Sequence, residues 1–192
     1  MAGNESTQWI DVTTDKFSHD SELFVIPDHY KGDVDNVIIP HGLIMDRINK
    51  LAQLITQDFN ERLILCCVLK GGHQFFSDLV NAIKKRTTLK GNTLPMGLEF
   101  IRVKSYHNDQ SSGEVKISMT ESELRSLEGK DILIVEDIID TGLTMVNLLK
   151  HLEKYNPRSV KVASLLIKKT PRSNGYIPDY VGFAVPDLFV VG

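Results

Sequence analysis

The chain has 192 residues, of which 42% are hydrophobic, and a formal net charge of −3. This length suits one compact domain that buries about 70% of its unfolded surface. The small negative charge argues against a nucleic-acid partner. No apolar run approaches the roughly 18 residues that span a bilayer, and the start of the chain lacks the basic and apolar regions of a signal peptide. We therefore expect a cytosolic protein without a membrane or nucleic-acid partner.

The two cysteines, Cys66 and Cys67, are adjacent in an apolar run. Neighbouring cysteines cannot form a disulfide with each other without strain. We therefore expect neither a disulfide framework nor a zinc site, and both thiols should behave as small buried hydrophobic groups.

The first half of the chain contains two predicted helices and one strand. A continuous apolar run from Leu63 to Leu69 is typical of a strand buried on both faces. Helical spacing predicts a helix after it, with an apolar face formed by Phe76, Leu79, Val80 and Ile83. An earlier helix after Pro40 has an apolar face formed by Ile44, Ile48, Leu51, Ala52, Ile55 and Phe59.

The segment Leu69-Lys70-Gly71-Gly72 joins this strand to its helix. Two glycines let the backbone approach a ligand closely, and Lys70 adds a cation beside the backbone N–H groups. An ordinary turn explains these residues as well as an anion site does. A second anion site elsewhere in the chain would favour binding of a substrate that carries phosphate at both ends.

A polar stretch between Lys104 and Glu114 follows a basic strand end. Ser105 and Tyr106 at its start fit a lid that closes over an anionic substrate. A long hairpin is the equal alternative. Thr120 and Glu123 then form a candidate capping box for a short helical turn.

The most informative segment is VEDIIDTGLT, residues 135–144. An apolar run stops at Glu136 and Asp137, and a third carboxylate, Asp140, precedes a Thr-Gly-x-Thr turn that opens an amphipathic helix. In an open α/β sheet, ligands bind beyond the carboxyl ends of the strands, where helix N-termini attract phosphate. We therefore interpret Thr141, Gly142 and Thr144 as a phosphate-binding turn.

The carboxylates point to the rest of the ligand. Glu136 and Asp137 would repel a phosphate, but vicinal ribose hydroxyls can donate to them, and a divalent cation can bridge the same oxygens. The residues therefore predict a sugar-phosphate site. The alternative is that the pair merely ends a strand while Asp140 or Thr141 caps the helix.

Two further strands, residues 160–167 and 180–185, complete the pattern. Strands joined by helices imply right-handed crossovers, so the predicted fold class is α/β with a mainly parallel sheet flanked by helices.

The acidic turn resembles the phosphoribosyl-diphosphate (PRPP) motif of type I phosphoribosyltransferases. Within them the chain is similar to the hypoxanthine-guanine phosphoribosyltransferase family from about residue 23 to residue 192. The segments that carry this resemblance are IPHGLIMDR at 39–47, VLKGG at 68–72, KSY at 104–106 with NDQS at 108–111, VASLL at 162–166 and TPRS at 170–173.

The resemblance implies a type I phosphoribosyltransferase fold with a small hood region. It implies a domain over residues 21–192 after a poorly ordered segment, 1–20, and a homodimer or homotetramer. It also implies Mg²⁺, and the expected metal-binding and ribose-binding carboxylates are Glu136 and Asp137.

The resemblance further assigns a role to each site residue. Asp140 is expected to accept the purine N7 proton, and Lys168 to donate to the 6-oxo group. The 5′-phosphate turn is implied to comprise Thr141, Gly142, Leu143 and Thr144, the pyrophosphate loop Leu69, Lys70, Gly71 and Gly72, and the lid Ser105 and Tyr106. Phe189 is expected to stack on the base and the backbone of Val190 to read its edge. The Leu69–Lys70 peptide is expected to be cis.

Two departures from the family stand out. Position 143, a lysine in some members, is Leu143 here, and the turn should tolerate it because backbone N–H groups bind the phosphate. The family also continues past Val190-Val191-Gly192 with a metal-binding aspartate and a pyrophosphate-binding arginine. We therefore expect these 192 residues to bind nucleotide better than they turn it over.

The function that the resemblance implies is conversion of hypoxanthine or guanine plus PRPP to IMP or GMP plus pyrophosphate. A non-catalytic nucleotide or PRPP sensor with the same fold is the alternative, although a sensor needs neither Asp140 nor Lys168 in those roles. A dinucleotide-dependent dehydrogenase or a methyltransferase is disfavoured, because no G-x-G-x-x-G motif occurs.

Overall fold

The computed structural model describes residues 9–105 and 115–191. Its strands are β1 (Ile10–Asp11), β2 (His19–Asp20), β3 (Asn36–Val37), β4 (Leu63–Leu69), β5 (Met96–Ser105), β6 (Val115–Ile117), β7 (Asp131–Ile139), β8 (Ser159–Lys169) and β9 (Tyr180–Pro186). Its α-helices are α1 (His41–Asp58), α2 (His73–Lys84), α3 (Glu121–Arg125) and α4 (Leu143–Glu153). Within the described ranges, no helix is both long and apolar enough to cross a membrane.

Seven strands form one sheet in the order β1-β9-β8-β7-β4-β5-β6. All neighbouring pairs are parallel except β5 and β6, which are antiparallel. The strands β2 and β3 form a separate antiparallel pair. The predicted fold class, a mainly parallel α/β sheet flanked by helices, is confirmed.

Helices cover both faces of the sheet, which explains why β4 is apolar throughout. Leu63, Leu65 and Cys67 pack in one core with residues of α1 and α2. Ile64 and Cys66 pack in a second core with residues of α3 and α4. Because side chains alternate along a strand, a strand covered on both sides needs apolar residues at every position. Both cysteines are buried and free, as expected.

The helices begin where the sequence pattern places them. The predicted capping box is confirmed at α3: Thr120 Oγ1 accepts from the Glu123 N–H at 3.3 Å, and the Glu123 carboxylate accepts from the Thr120 N–H at 2.7 Å. Val103 of β5 pairs antiparallel with Ile117 of β6. The predicted polar stretch between these strands lies largely outside the described residues.

The fold begins before the boundary expected at residue 21. Ile10 and Asp11 form the edge strand β1, which pairs with Phe183 and Ala184 of β9. Val12 is 2% exposed and packs in one cluster with Phe183. A strand of two residues has no periodicity to detect, so local sequence could not indicate it.

At the amino ends of β8 and β9, a polar cluster ties α1 to the sheet. The Tyr180 hydroxyl donates to Asp58 at 2.6 Å, and Lys161 Nζ donates to the same carboxylate oxygen at 2.8 Å. Desolvation opposes ionisation of Asp58, but the hydrogen bonds from Lys161 and Tyr180 outweigh it and lower the pKa of this carboxyl.

Tyr180→Phe should lower the free energy of unfolding by about 1 kcal/mol at pH 7, because one hydrogen bond to a carboxylate is lost. The Asp58 interaction stabilises the fold above the unfolded pKa of about 3.9 and is lost as the pH falls through the lowered folded pKa. The difference between variant and wild type should therefore shrink at pH 3. Urea unfolding at both pH values measures it.

Tyr155→Phe is the matched control for this measurement, because its hydroxyl donates to the exposed Glu121 at 2.9 Å and exposed contacts contribute little. Equal destabilisation by both variants would contradict the assigned role of Asp58.

Candidate active site

The chain reverses its direction through the sheet between β4 and β7. From β4 the chain moves outward to β5 and β6, whereas from β7 it moves the other way to β8 and β9. The loops after β4 and β7 therefore leave neighbouring parallel strands on opposite faces and open a crevice, which is the usual ligand position in such sheets.

The strand β7 does not stop at the acidic pair but continues to Ile139. Glu136 and Asp137 lie near the carboxyl end of this strand and are half-buried. The Asp137 N–H donates to Glu136 Oε1 at 3.2 Å, and the Ile138 N–H donates to Asp137 Oδ1 at 2.8 Å. Both carboxylates are thus held by the backbone of their own strand at the edge of the crevice.

The Glu136 carboxyl carries a large electrostatic cost. Burial raises its pKa to about 9, and the neighbouring Asp137 adds to the effect. In the described ranges no Lys, Arg or His nitrogen pairs with either carboxylate. A buried acidic pair without a cationic side chain fits a divalent cation, because carboxylate oxygens are the ligands that Mg²⁺ prefers.

The glycine loop after β4 lies directly against this pair. The Leu69–Lys70 peptide bond is cis, as the resemblance implies. A Cβ on Gly71 would collide with the Asp137 carboxylate, and one on Gly72 would lie 2.8 Å from the Val68 carbonyl oxygen. Glycine is therefore needed at both positions for the loop to lie this close to β7 and to the end of β4. The Lys70 side chain remains exposed.

The phosphate-type turn is built by Gly142 at the N-terminus of α4. Gly142 is the N-cap with φ 82°, in the left-handed region, and no side chain caps the helix. Asp140 and Thr141 are thus not the cap, although Thr141 Oγ1 accepts a long bond of 3.4 Å from the Leu143 N–H. The alternative of a simple strand end followed by a helix cap is wrong. Leu143 and Thr144 are exposed, so the first turn of the helix is open to a ligand.

Asp140 and Lys168 meet across neighbouring strands. Lys168 Nζ lies 3.9 Å from Asp140 Oδ2, and only 14% of the lysine side chain is exposed. The structure thus brings together the two residues expected to handle the purine. The pairing arises because β7 and β8 are parallel and in register up to Ile139 and Ile167.

Sequence reasoning missed the residues that surround this pair. Arg172 Nη2 lies 3.6 Å from Asp140 Oδ1 and 3.6 Å from Asp187 Oδ1. The Thr170 hydroxyl donates to the other oxygen of Asp187 at 2.8 Å. The motif TPRS at residues 170–173 is part of the family resemblance, but nothing in its spacing indicates a partner for Arg172.

The residues expected to stack on the base and to form the lid make no described contact with the Asp140–Lys168 pair. Phe189 is 93% exposed and Val190 is half-buried, both just beyond β9. Ser105 is the last residue of β5. Tyr106 lies outside the described residues.

The crevice at the switch point combines an acidic pair, a glycine loop and an open helix N-terminus, an arrangement that fits a sugar phosphate. A family model, phosphoribosyl transferase domain, matches residues 37–192. The hypoxanthine-guanine phosphoribosyltransferase of Homo sapiens is 51% identical over 182 residues, which cover 94% of this chain and 83% of the relative. The protein of the same name from Sus scrofa is 50% identical with the same coverage.

A solved structure shows the same likeness. The hypoxanthine-guanine phosphoribosyltransferase of Schistosoma mansoni, crystallised in complex with IMP, aligns with a TM-score of 0.74 and 35% identity, covering 93% of this chain and 82% of that one. The chain therefore belongs to the hypoxanthine-guanine phosphoribosyltransferase family.

Glu136→Gln should raise the melting temperature in buffer with a metal chelator, and more at pH 8 than at pH 5. The raised pKa means that wild-type Glu136 keeps its proton when folded but loses it when unfolded above about pH 4.3. The wild-type free energy of unfolding therefore falls as the pH rises, by about 1.4 kcal/mol per pH unit and so by up to about 4 kcal/mol between pH 5 and pH 8, and glutamine has no proton to lose.

Glu128→Gln, an exposed position just before β7, is the matched control and should leave the difference between the two pH values unchanged. If Glu136→Gln and wild type have equal melting temperatures at both pH values, the raised pKa assigned to Glu136 is wrong.

Proposed function

We propose that this chain transfers the phosphoribosyl group of PRPP to hypoxanthine or guanine, giving IMP or GMP and pyrophosphate. The observation that carries the proposal is the meeting of Asp140 with Lys168 beside the turn at Gly142, in a chain 51% identical to a hypoxanthine-guanine phosphoribosyltransferase. The pair supplies an acceptor and a donor for a 6-oxopurine.

Each part of the crevice then has a task. The turn of Thr141 to Thr144 binds the 5′-phosphate through backbone N–H groups at the positive end of α4. The loop of Leu69 to Gly72 binds pyrophosphate, with its backbone accessible and the Lys70 ammonium beside it. Glu136 and Asp137 accept hydrogen bonds from the ribose hydroxyls.

The reaction breaks the bond between C1′ and the pyrophosphate oxygen, and the electron pair leaves with pyrophosphate. A bond from the purine N9 to C1′ replaces it, and the base loses its N7 proton to Asp140. Catalysis then consists of stabilising charge on both sides of C1′. Lys168 donates to the 6-oxo group, while the exposed ring of Phe189 is available to stack on the base.

We propose that Glu136 and Asp137 also hold Mg²⁺, which when bound would neutralise the negative charge of PRPP and pyrophosphate. The fit rests on two adjacent, half-buried carboxylates that have no cationic side chain beside them in the described ranges. Ser105 and Tyr106 would exclude water from the site. A homodimer or homotetramer and a cytosolic location complete the proposal, by analogy with the family.

Asp140→Asn should lower kcat about 10²–10⁴-fold, because an amide cannot accept the proton during the reaction. Binding of PRPP should persist, since the carboxylate serves the base. Steady-state kinetics with guanine, PRPP and Mg²⁺, together with PRPP titration, test this. Turnover equal to that of wild type would remove Asp140 from the mechanism.

Adenine should be a very poor substrate. An ammonium group only donates, so Lys168 pairs with a 6-oxo group but opposes a 6-amino group, and such an unpaired site can discriminate by about 10⁴–10⁵-fold. Lys168→Gln should narrow the gap, because an amide can also accept. Comparable kcat/KM for adenine and guanine in the wild-type chain would contradict the assignment.

A further inference from the structure

The connection between β8 and β9 contacts both halves of the proposed site. Residues 170–176 of this connection, here called the 170–176 segment, follow Lys168 and Lys169 at the end of β8. One part contacts the turn at the start of α4, and another part contacts Asp140 and the residue after β9. Neither contact has a role in the mechanism described so far.

Asn174 contacts the phosphate turn. Its backbone N–H donates to the Thr141 carbonyl oxygen at 2.9 Å. Its side-chain Oδ1 accepts from the Tyr176 N–H at 3.0 Å. The same oxygen fills the space over Gly142, where an added Cβ would collide with it. Because Gly142 has φ 82°, a conformation that a free glycine leaves easily, Asn174 restricts the turn to one arrangement.

Arg172 contacts the base-handling side. Its guanidinium lies 3.6 Å from Asp140 Oδ1, a buried oxygen that has no hydrogen-bond partner among the described residues. The same guanidinium lies 3.6 Å from Asp187, which Thr170 also holds. Asp140 therefore lies between two cations, Lys168 on Oδ2 and Arg172 on Oδ1. Arg172 is therefore placed to hold the carboxylate when Lys168 engages a base.

We propose that the 170–176 segment positions both halves of the site, with Asn174 acting through Gly142 on the 5′-phosphate and Arg172 acting through Asp140 on the base. The inference rests on the proposed function. Both are positioning residues, Asn174 for phosphate binding and Arg172 for handling of the base. Both side chains lie at the surface, where such contacts contribute little to stability, so their substitution should leave the fold intact.

The test compares Asn174→Ala and Arg172→Gln. Ribose 5-phosphate is the first probe, because it reaches the phosphate turn without a base. Asn174→Ala should weaken its binding about tenfold, while Arg172→Gln should leave it within about twofold. In turnover of guanine, Arg172→Gln should lower kcat about tenfold or more, as expected for a displaced catalytic group. Arg172→Lys should recover part of this loss. Asn174→Ala should instead raise the KM for PRPP.

Arg125→Gln is the matched control. Arg125 also forms an exposed ion pair, with Glu121 on α3, but it lies outside the 170–176 segment, so this variant should match wild type in every measurement. Melting temperatures of all variants are measured alongside.

Two results would overturn the inference: both variants weakening every ligand equally together with a lower melting temperature, or neither variant changing any constant. If the wild-type chain converts no guanine above the rate measured without protein, the proposed function and the role of Arg172 are wrong. The ribose 5-phosphate titration then still decides the role of Asn174.

Discussion

The parallel pairing of β4 with β7 is the constraint on which the site depends. The two strands align from Leu63 opposite Asp131 to Cys67 opposite Val135. Their carboxyl ends therefore emerge side by side at the point where the chain reverses direction through the sheet. The glycine loop and the acidic pair meet there, and the collision that a Cβ on Gly71 would cause shows how closely. A shift of one residue in this register would turn Asp137 away from the loop, since alternate residues face opposite sides.

The charges of the crevice divide it into two regions. Glu136 and Asp137 have no cationic side chain beside them in the described ranges, and burial raises the pKa of Glu136 to about 9. Asp140, by contrast, lies between Lys168 and Arg172. Carboxylates without a neighbouring positive charge suit ribose hydroxyls and a divalent cation. A carboxylate that two cations keep ionised suits acceptance of a proton from the purine. In the proposed function, carboxylates thus have two different tasks because their neighbours differ.

The opposite end of the sheet provides stability. There Asp131 is held by Arg158, whose Nε donates to it at 2.9 Å, and by the Ser159 hydroxyl at 2.7 Å. Hydrogen bonds from Arg158 are the main reason that the pKa of Asp131 is lowered. Asp131 at this end is held by neighbouring side chains, whereas Glu136 and Asp137 at the other end have no cationic side chain beside them in the described ranges.

The sequence by itself determined the long buried strands and the helices. The apolar run of β4, the helical spacing of α2 and the capping box at Thr120 are local patterns, and local patterns follow from backbone periodicity and capping chemistry. The acidic turn indicated a sugar phosphate without any structure. The resemblance, rather than composition, singled out Lys168, which would otherwise pass for a surface lysine.

Only the tertiary structure decided which of these residues meet. Arg172 reaches Asp140 because β8 lies beside β7, and it reaches Asp187 because β9 lies beside β8. Asn174, which follows β8, covers Gly142, which follows β7, because these two strands are neighbours. The two-residue strand β1 also escaped detection, since it is defined by its pairing with β9 and not by its own sequence. Such contacts join positions far apart in the chain, and their geometry depends on strand order and register, which no local pattern of side chains encodes.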